Sequence, residues 1–296
     1  MKREPHELRI AVIGGDERQI YCAKKLSELG FETAVFGFDN YSGDVGLCTR
    51  CKEYCDAASF ADVIILPLPV SRDGKTVSLQ YSDIQLTVEG LFENVKKDVI
   101  FLGGNPSEEI LGVSKKLGFD IVNYFDREEL VIANAFLTAE SAVALAMNEC
   151  KFSVKDAPVL VLGYGRIGKM LCHILKSMGA YVYASARKRR DFEWIRSYGY
   201  SPVATSNICD TVSECRLVFN TIPGLVLCEN ELYCLPSDAL IVDLASKPGG
   251  VDFDVAKKLG LKVIWALSLP GKCKPESAGK IVADTVIGIL EDMEVI

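Results

Sequence analysis

The sequence predicts an α/β protein: two doubly wound parallel sheets with a cleft between them, joined by a long helix. Three observations predict it. Apolar, β-rich runs bounded by Gly and Pro alternate with helical stretches along the whole chain, the pattern of strands buried on both faces. One long helical stretch, about residues 126–150, interrupts that alternation. The length of 296 residues suits two domains at about 100–200 residues each.

The elements follow in order. Leu8–Ile13 reads as a first strand, and Gly14-Gly15-Asp16 turns into a helix ending near Gly30. Thr33–Phe36, Val63–Leu66, Val99–Leu102 and Asp120–Val122 read as further strands, with helices at Leu86–Val95 and Glu108–Leu117. In the connector, Ile132, Phe136, Ala139, Val143 and Met147 fall on one face at helical spacing and the other faces are also rich in apolar residues, so this helix is expected to be packed between two bodies. A second series begins at Pro158–Leu162 and continues through Tyr181–Ser185, Leu217–Thr221, Leu240–Leu244 and Lys262–Ala266. A last helix, Glu276 to about Glu291, is expected to cross back onto the first domain. The expected domains are residues 1–128 (joined by about 274–296), a connector over 129–150, and residues 151–273.

Composition narrows the partners. A net charge of -7 disfavours nonspecific binding to nucleic acid or an anionic membrane. The longest apolar stretch, Leu130–Met147, carries Asn134, Thr138, Glu140 and Ser141 and reads as a buried helix rather than a span. The first residues run straight into a strand without the apolar core of a secretory leader, which predicts a cytoplasmic chain. The 11 cysteines are odd in number and scattered, as reduced thiols would be. Cys48, Cys51 and Cys55 suggest a metal site, but a fourth ligand and a nearby His are missing from the pattern, so no metal is expected.

Gly163-Tyr164-Gly165-Arg166-Ile167-Gly168 carries the strongest signal. It is a G-x-G-x-x-G placed after an apolar run and before a helix, the context of a Rossmann dinucleotide site. Its glycines permit a tight turn, backbone approach to a pyrophosphate and close helix–strand packing, while the helix N-terminus offers free N–H groups. An NAD site usually places an acid at the tip of the second strand. Here Ser185, Ala186, Arg187 and Lys188 stand there, and a guanidinium grips a 2′-phosphate well, so NADP is the expected cofactor. Asn220-Thr221-Ile222-Pro223-Gly224 and Asp243–Gly250 fall at carboxyl ends of strands, so Thr221, Ile222, Pro223, Ala245 and Ser246 join the expected cofactor contacts. With only His6 and His173, a Ser-His-Asp triad or a His-dependent 2-hydroxyacid dehydrogenase is hard to build.

The segment order resembles the family of the dipicolinate synthase A-subunit. The matching residues are Ala11–Asp16 with Arg18-Gln19, Ile65-Leu66-Pro67, Asn134, and Thr138-Ala139-Glu140. They continue with Gly163-x-Gly165-Arg166, Ala186-Arg187, Asn220–Pro223, Asp243–Ser246, Pro248–Gly250, Asp252-Phe253, Leu269–Gly271, Pro275 and Ala278-Gly279. Ser141 stands where the family commonly has Gly. The resemblance implies an NADP-linked enzyme that oxidises a dihydrodipicolinate-type ring to pyridine-2,6-dicarboxylate during sporulation, in the mother-cell cytoplasm. It also implies a partner, the flavoprotein-like B-subunit of dipicolinate synthase. A homo-oligomer is left open. The alternatives are a non-catalytic NADP-binding regulatory or sensor component and a 2-hydroxyacid dehydrogenase-like enzyme.

A dianionic substrate needs cations or N–H groups. Lys247, Arg127 and Lys272 are the nearest cations to cleft-type segments, and the N–H groups of Gly249 and Gly250 are equally suited. Asn134 and Thr138 are one helical turn apart and share a face, as substrate contacts would. Glu140 is the candidate proton acceptor, but an unbroken helix turns it to another face, so a break near Thr138 is required if all three serve one pocket.

Overall fold

The computed structural model describes residues 2–296. The chain divides into two compact units, Met1–Asn134 with Lys274–Ile296, and Ala135–Cys273.

Unit 1 begins with β1 (Arg9–Ile13), α1 (Glu17–Glu28), β2 (Glu32–Phe36), β3 (Thr49–Cys51), α2 (Tyr54–Phe60) and β4 (Val63–Ile65). It continues with β5 (Ile100–Gly103), α3 (Glu108–Lys116) and β6 (Ile121–Asn123). The strands form one parallel sheet in the order β3-β2-β1-β4-β5-β6. Residues alternating along each strand feed two core clusters, Ile10, Val12 and Ile65 in one and Ala11, Ile13 and Ile64 in the other. The helices start where the sequence provides a cap: Asp16 accepts the Arg18 N–H, and Ser107 accepts that of Ile110.

Helix α4 (Glu128–Glu149) runs unbroken, and the boundary between the units falls within it. Unit 2 then comprises β7 (Pro158–Leu162), α5 (Arg166–Ser177), β8 (Tyr181–Ala186), α6 (Arg189–Ser197), β9 (Ser201–Ala204), α7 (Cys209–Val212) and β10 (Leu217–Asn220). It ends with α8 (Glu229–Tyr233), β11 (Leu240–Asp243), α9 (Phe253–Lys258), β12 (Lys262–Trp265) and α10 (Leu269–Cys273). The second sheet is also parallel, in the order β12-β11-β10-β7-β8-β9. The final helix, α11 (Pro275–Asp292), belongs to unit 1 and packs along α1.

Three features depart from the sequence reading. Leu86–Val95 is not a helix but a segment with one 3₁₀ turn, Glu89–Phe92. Leu86, Val88, Leu91 and Phe92 still reach the core, while Thr87 Oγ1 takes the Gly90 N–H and Asn94 turns at φ 59°, which leaves no room for helical turns. Edge strands β3 and β9 lack the apolar runs that mark the inner strands. On α4, Ala139 and Val143 are buried, but Ile132, Phe136 and Met147 are 41%, 43% and 51% exposed. Small residues, Ala135, Ala139, Ala142 and Ala146, are buried there together with Leu130, Leu137 and Val143. By length and composition α4 could cross a membrane, yet half of its apolar stretch is buried inside the protein.

The cysteine triplet is split by its surroundings. Cys48 is buried, Cys51 lies on edge strand β3, and Cys55 is exposed on α2. Among the described residues no group of three or more His, Cys, Asp or Glu side chains is arranged to hold a metal ion.

The α1–α11 contact depends on Gly279. A Cβ there would stand 2.6 Å from Tyr21 Cβ and would collide with the Arg18 carbonyl. Gly279→Ala is expected to destabilise the protein by about 2 kcal/mol or more through overpacking. Gly112 on α3 has no atom within 4 Å of its Cβ position. Gly112→Ala should stabilise by about 0.5–1 kcal/mol through helix propensity. Urea unfolding of both variants checks the pair, and equal stabilities would contradict this packing.

Candidate functional site

In a doubly wound sheet, ligands bind at the carboxyl edge where the strand order reverses. In unit 2 that point lies between β7 and β10. The register sets Ser185, Leu162, Asn220 and Asp243 in one row across that edge. The residues that follow form the pocket, a cavity of about 310 Å³.

The glycine turn occupies its centre. Gly163 adopts φ 94°, and a Cβ on it would stand 2.5 Å from Thr221 Oγ1. At Gly168 a Cβ would collide with the Gly163 carbonyl, so α5 approaches β7 only because this position is glycine. Gly165, the N-cap of α5, has no protein atom within 4 Å of its Cβ position. The turn is therefore tight on its inner side and open on its outer side, at the start of a twelve-residue helix. That arrangement fits a dinucleotide diphosphate, with α5 amides pointing at the phosphates. Arg166 is exposed beside it, and Tyr164 and Ile167 are half-buried.

Ser185 is among the residues that line the pocket. It lies inside β8, fully buried, where its Oγ accepts the Gly163 N–H at 3.1 Å and lies 3.3 Å from Thr205 Oγ1. It fixes the turn from below. Exposed Arg187 and Lys188 form the strand tip and line the pocket. Asp191 also lines it, a carboxylate that strand-tip spacing does not reveal because it comes from α6, five residues beyond the strand. Its Oδ1 lies 3.6 Å from Arg190 Nε.

On the opposite side, Thr221, Ile222 and Pro223 line the pocket, and Thr221 Oγ1 donates to the Leu162 carbonyl at 2.9 Å. This loop is anchored by Asn220 and Asp243, both fully buried. Asn220 Nδ2 donates to Asp243 Oδ1 at 2.8 Å, and Asn220 Oδ1 accepts the Ile222 N–H. Asp243 takes the N–H groups of Ala245 at 3.1 Å and Gly250 at 2.9 Å. Gly249 N–H is bonded to the Ser246 carbonyl. The N–H groups of Gly249 and Gly250, expected to bind substrate, are thus spent on shaping their own loop. Ala245 is buried, and its carbonyl accepts Trp265 Nε1 at 2.9 Å; Ser246 and Lys247 are exposed on the same loop.

The remaining expected residues lie on or near α4. Thr138 is buried, whereas Asn134 and Glu140 are half-buried. Because α4 does not break, Glu140 faces away from the side shared by Asn134 and Thr138. Arg127 is bridged to Glu129 and Asp292, both at 2.7 Å, and so is not an open anion site. His173 is exposed on α5 and His6 near the start of the chain; neither lines this pocket.

The equivalent turn of unit 1 is closed. Gly15 N–H donates to the Ser78 carbonyl at 2.7 Å, and a Cβ on Gly14 would collide with Leu79. A strap over residues 78–80 thus occupies the Gly15 amide that a phosphate would use. Beside it lies a cavity of about 300 Å³ near Asp16, Leu68 and Arg72. Arg18 forms a two-pronged pair with Asp16 and reaches the Leu68 carbonyl, joining the ends of β1 and β4. Gln19 and Tyr124 both donate to the Leu66 carbonyl. The polar residues of the Gly14–Gln19 segment thereby brace this edge of the sheet.

Residues 9–125 match the family model of the N-terminal domain of the dipicolinate synthase A-subunit. The chain is 32% identical over 293 residues to the dipicolinate synthase A-subunit of Bacillus subtilis (strain 168), covering 97% of both. It superposes on the crystal structure of the dipicolinate synthase A-subunit from Bacillus halodurans with a TM-score of 0.88, at 30% identity, covering 97% of this chain and 99% of that one. A transhydrogenase from Sinorhizobium meliloti shares the fold, with a TM-score of 0.73 at 17% identity over 97% of this chain and 94% of that one. With the two parallel sheets, the open glycine turn and near full-length relatives in agreement, the chain belongs to the family of the dipicolinate synthase A-subunit.

Proposed function

We propose that this chain is the NADP-dependent component of an oxidoreductase that forms pyridine-2,6-dicarboxylate from a dihydrodipicolinate-type intermediate. The observation that carries the cofactor reading is the open turn at Gly165 beside the cationic tip Arg187-Lys188. The family's name, that of one part of a synthase, supports both the product and a partner. We take that partner to be the flavoprotein-like B-subunit, with both chains working during sporulation in the mother-cell cytoplasm.

Arg187 is the 2′-phosphate ligand in this reading, because a guanidinium offers two parallel donors. Asp191 does not oppose it, since its carboxylate is turned toward Arg190. A bound nicotinamide would supply hydride acceptance. The chain's own residues must orient the ring, hold two carboxylates and take one proton. Exposed Lys247 gives one substrate carboxylate a cation. Asn134 and Thr138 share one side of the unbroken α4 and Glu140 faces another, so one pocket does not use all three. Glu140 is the residue we assign to accept the proton. Loss of that proton and of a hydride leaves an aromatic ring, so positioning supplies much of the rate. A 2-hydroxyacid dehydrogenase would need a histidine at this pocket, and neither histidine lines it.

Calorimetric titration tests the cofactor assignment. NADPH should bind at least about tenfold more tightly than NADH, and Arg187→Ala should abolish that preference, a contact worth about 1.5–3 kcal/mol. Equal affinities would overturn the choice of NADP.

Glu140→Gln should leave NADPH affinity unchanged and lower hydride transfer by about a hundredfold, measured as NADPH formation with the partner chain present. Turnover near that of the unaltered chain would remove Glu140 from the mechanism.

A further inference from the structure

Helices α5 and α6 each direct two large side chains, one turn apart, into a common space outside the cofactor pocket. From α5 come Lys169 and His173, both exposed. From α6 comes Trp194 and from its C-cap Tyr198, 55% and 59% exposed. Residues four apart on a helix share a face, so each pair forms one wall. Tyr164 of the glycine turn and Tyr200, just before β9, complete a cavity of about 400 Å³, the size of a small-molecule site.

The rings are ordered as a series. Trp194 and Tyr198 stack with centroids 5.9 Å apart and planes 23° apart; Tyr198 and Tyr200 stack at 6.1 Å and 20°. Lys169 Nζ lies 5.5 Å from the centre of the Tyr164 ring. Keeping two large rings this exposed gives up apolar burial that the fold does not otherwise forgo in unit 2 at an aromatic pair. None of the six lining residues is acidic, and one is a lysine. A complementary ligand is therefore flat, apolar on its faces and negatively charged at its edge.

We propose that this cavity is a second small-molecule site, which binds a planar aromatic carboxylate. The ligand ring lies against the Trp194–Tyr198 wall, and its carboxylate meets Lys169, with His173 one turn further along α5. Tyr164 lines both this cavity and the cofactor pocket, so a ligand here touches the turn that holds the dinucleotide. The choice of pyridine-2,6-dicarboxylate as the probe rests on the reaction proposed above; the site itself does not.

The two tryptophans report the two places separately. Trp194 lines this cavity, while Trp265 Nε1 is bonded to Ala245 beside the cofactor loops. Indole resonances of the ¹⁵N-labelled chain, assigned with Trp194→Phe, are followed during titration with pyridine-2,6-dicarboxylate and, separately, with glutarate, a dianion without a ring. We expect a saturable shift of the Trp194 indole with the aromatic dianion and none with glutarate. Lys169→Gln should weaken the response about tenfold, the worth of one charge-assisted hydrogen bond. A stationary Trp194 signal, an equal response to glutarate, or an unchanged affinity in Lys169→Gln would each overturn the proposal. Movement of Trp265 alone would leave the redox reading standing while sinking this one.

Discussion

A buried hydrogen bond between Asn220 and Asp243 sets the shape of the carboxyl edge of the second sheet. The two side chains face each other from register-matched ends of β10 and β11 at 2.8 Å, without exposure to water. Between them they also hold backbone groups of Ile222, Ala245 and Gly250. A buried polar pair is costly unless its hydrogen-bonding capacity is used, and here it is used to pin two loops at once. Gly250 is glycine because a Cβ would collide with Asn220 Nδ2. Thr221 then falls against Gly163, and the glycine turn closes on its inner side.

The two units share one architecture and use the same edge differently. In each, a glycine turn follows the strand at the reversal point. In unit 2 the turn is open to the outside at Gly165. In unit 1 the strap over residues 78–80 bonds the turn on both sides of Gly15, through its N–H and its carbonyl. The difference lies in which backbone groups remain free, since both sheets present the same parallel order. An amide that already donates to a carbonyl has little to offer a phosphate.

Much of this is legible in the sequence, for physical reasons. Inner strands such as Val159–Leu162 are apolar runs because both faces are covered, and the glycine motif sits where a strand hands over to a helix. Edge strands β3 and β9 escape such a reading because an edge needs no apolar run. Leu86–Val95 misleads because a short apolar stretch looks alike whether it is coiled or helical, and only the core around it decides. Ser185, at the end of its expected strand, does line the pocket, but its hydroxyl is buried and bonded to the Gly163 N–H, a pairing that position along a strand does not encode. Asp191 reaches the pocket from a helix, a juxtaposition that spacing along the chain does not encode.

In the proposed reading, unit 2 holds a phosphorylated dinucleotide at the Gly163–Gly168 turn. A crystal structure of the chain with NADPH tests it most directly. The diphosphate should lie over Gly165 at the start of α5 and the 2′-phosphate against Arg187. A nucleotide bound elsewhere, or an Asp191 carboxylate standing where that phosphate belongs, would contradict it.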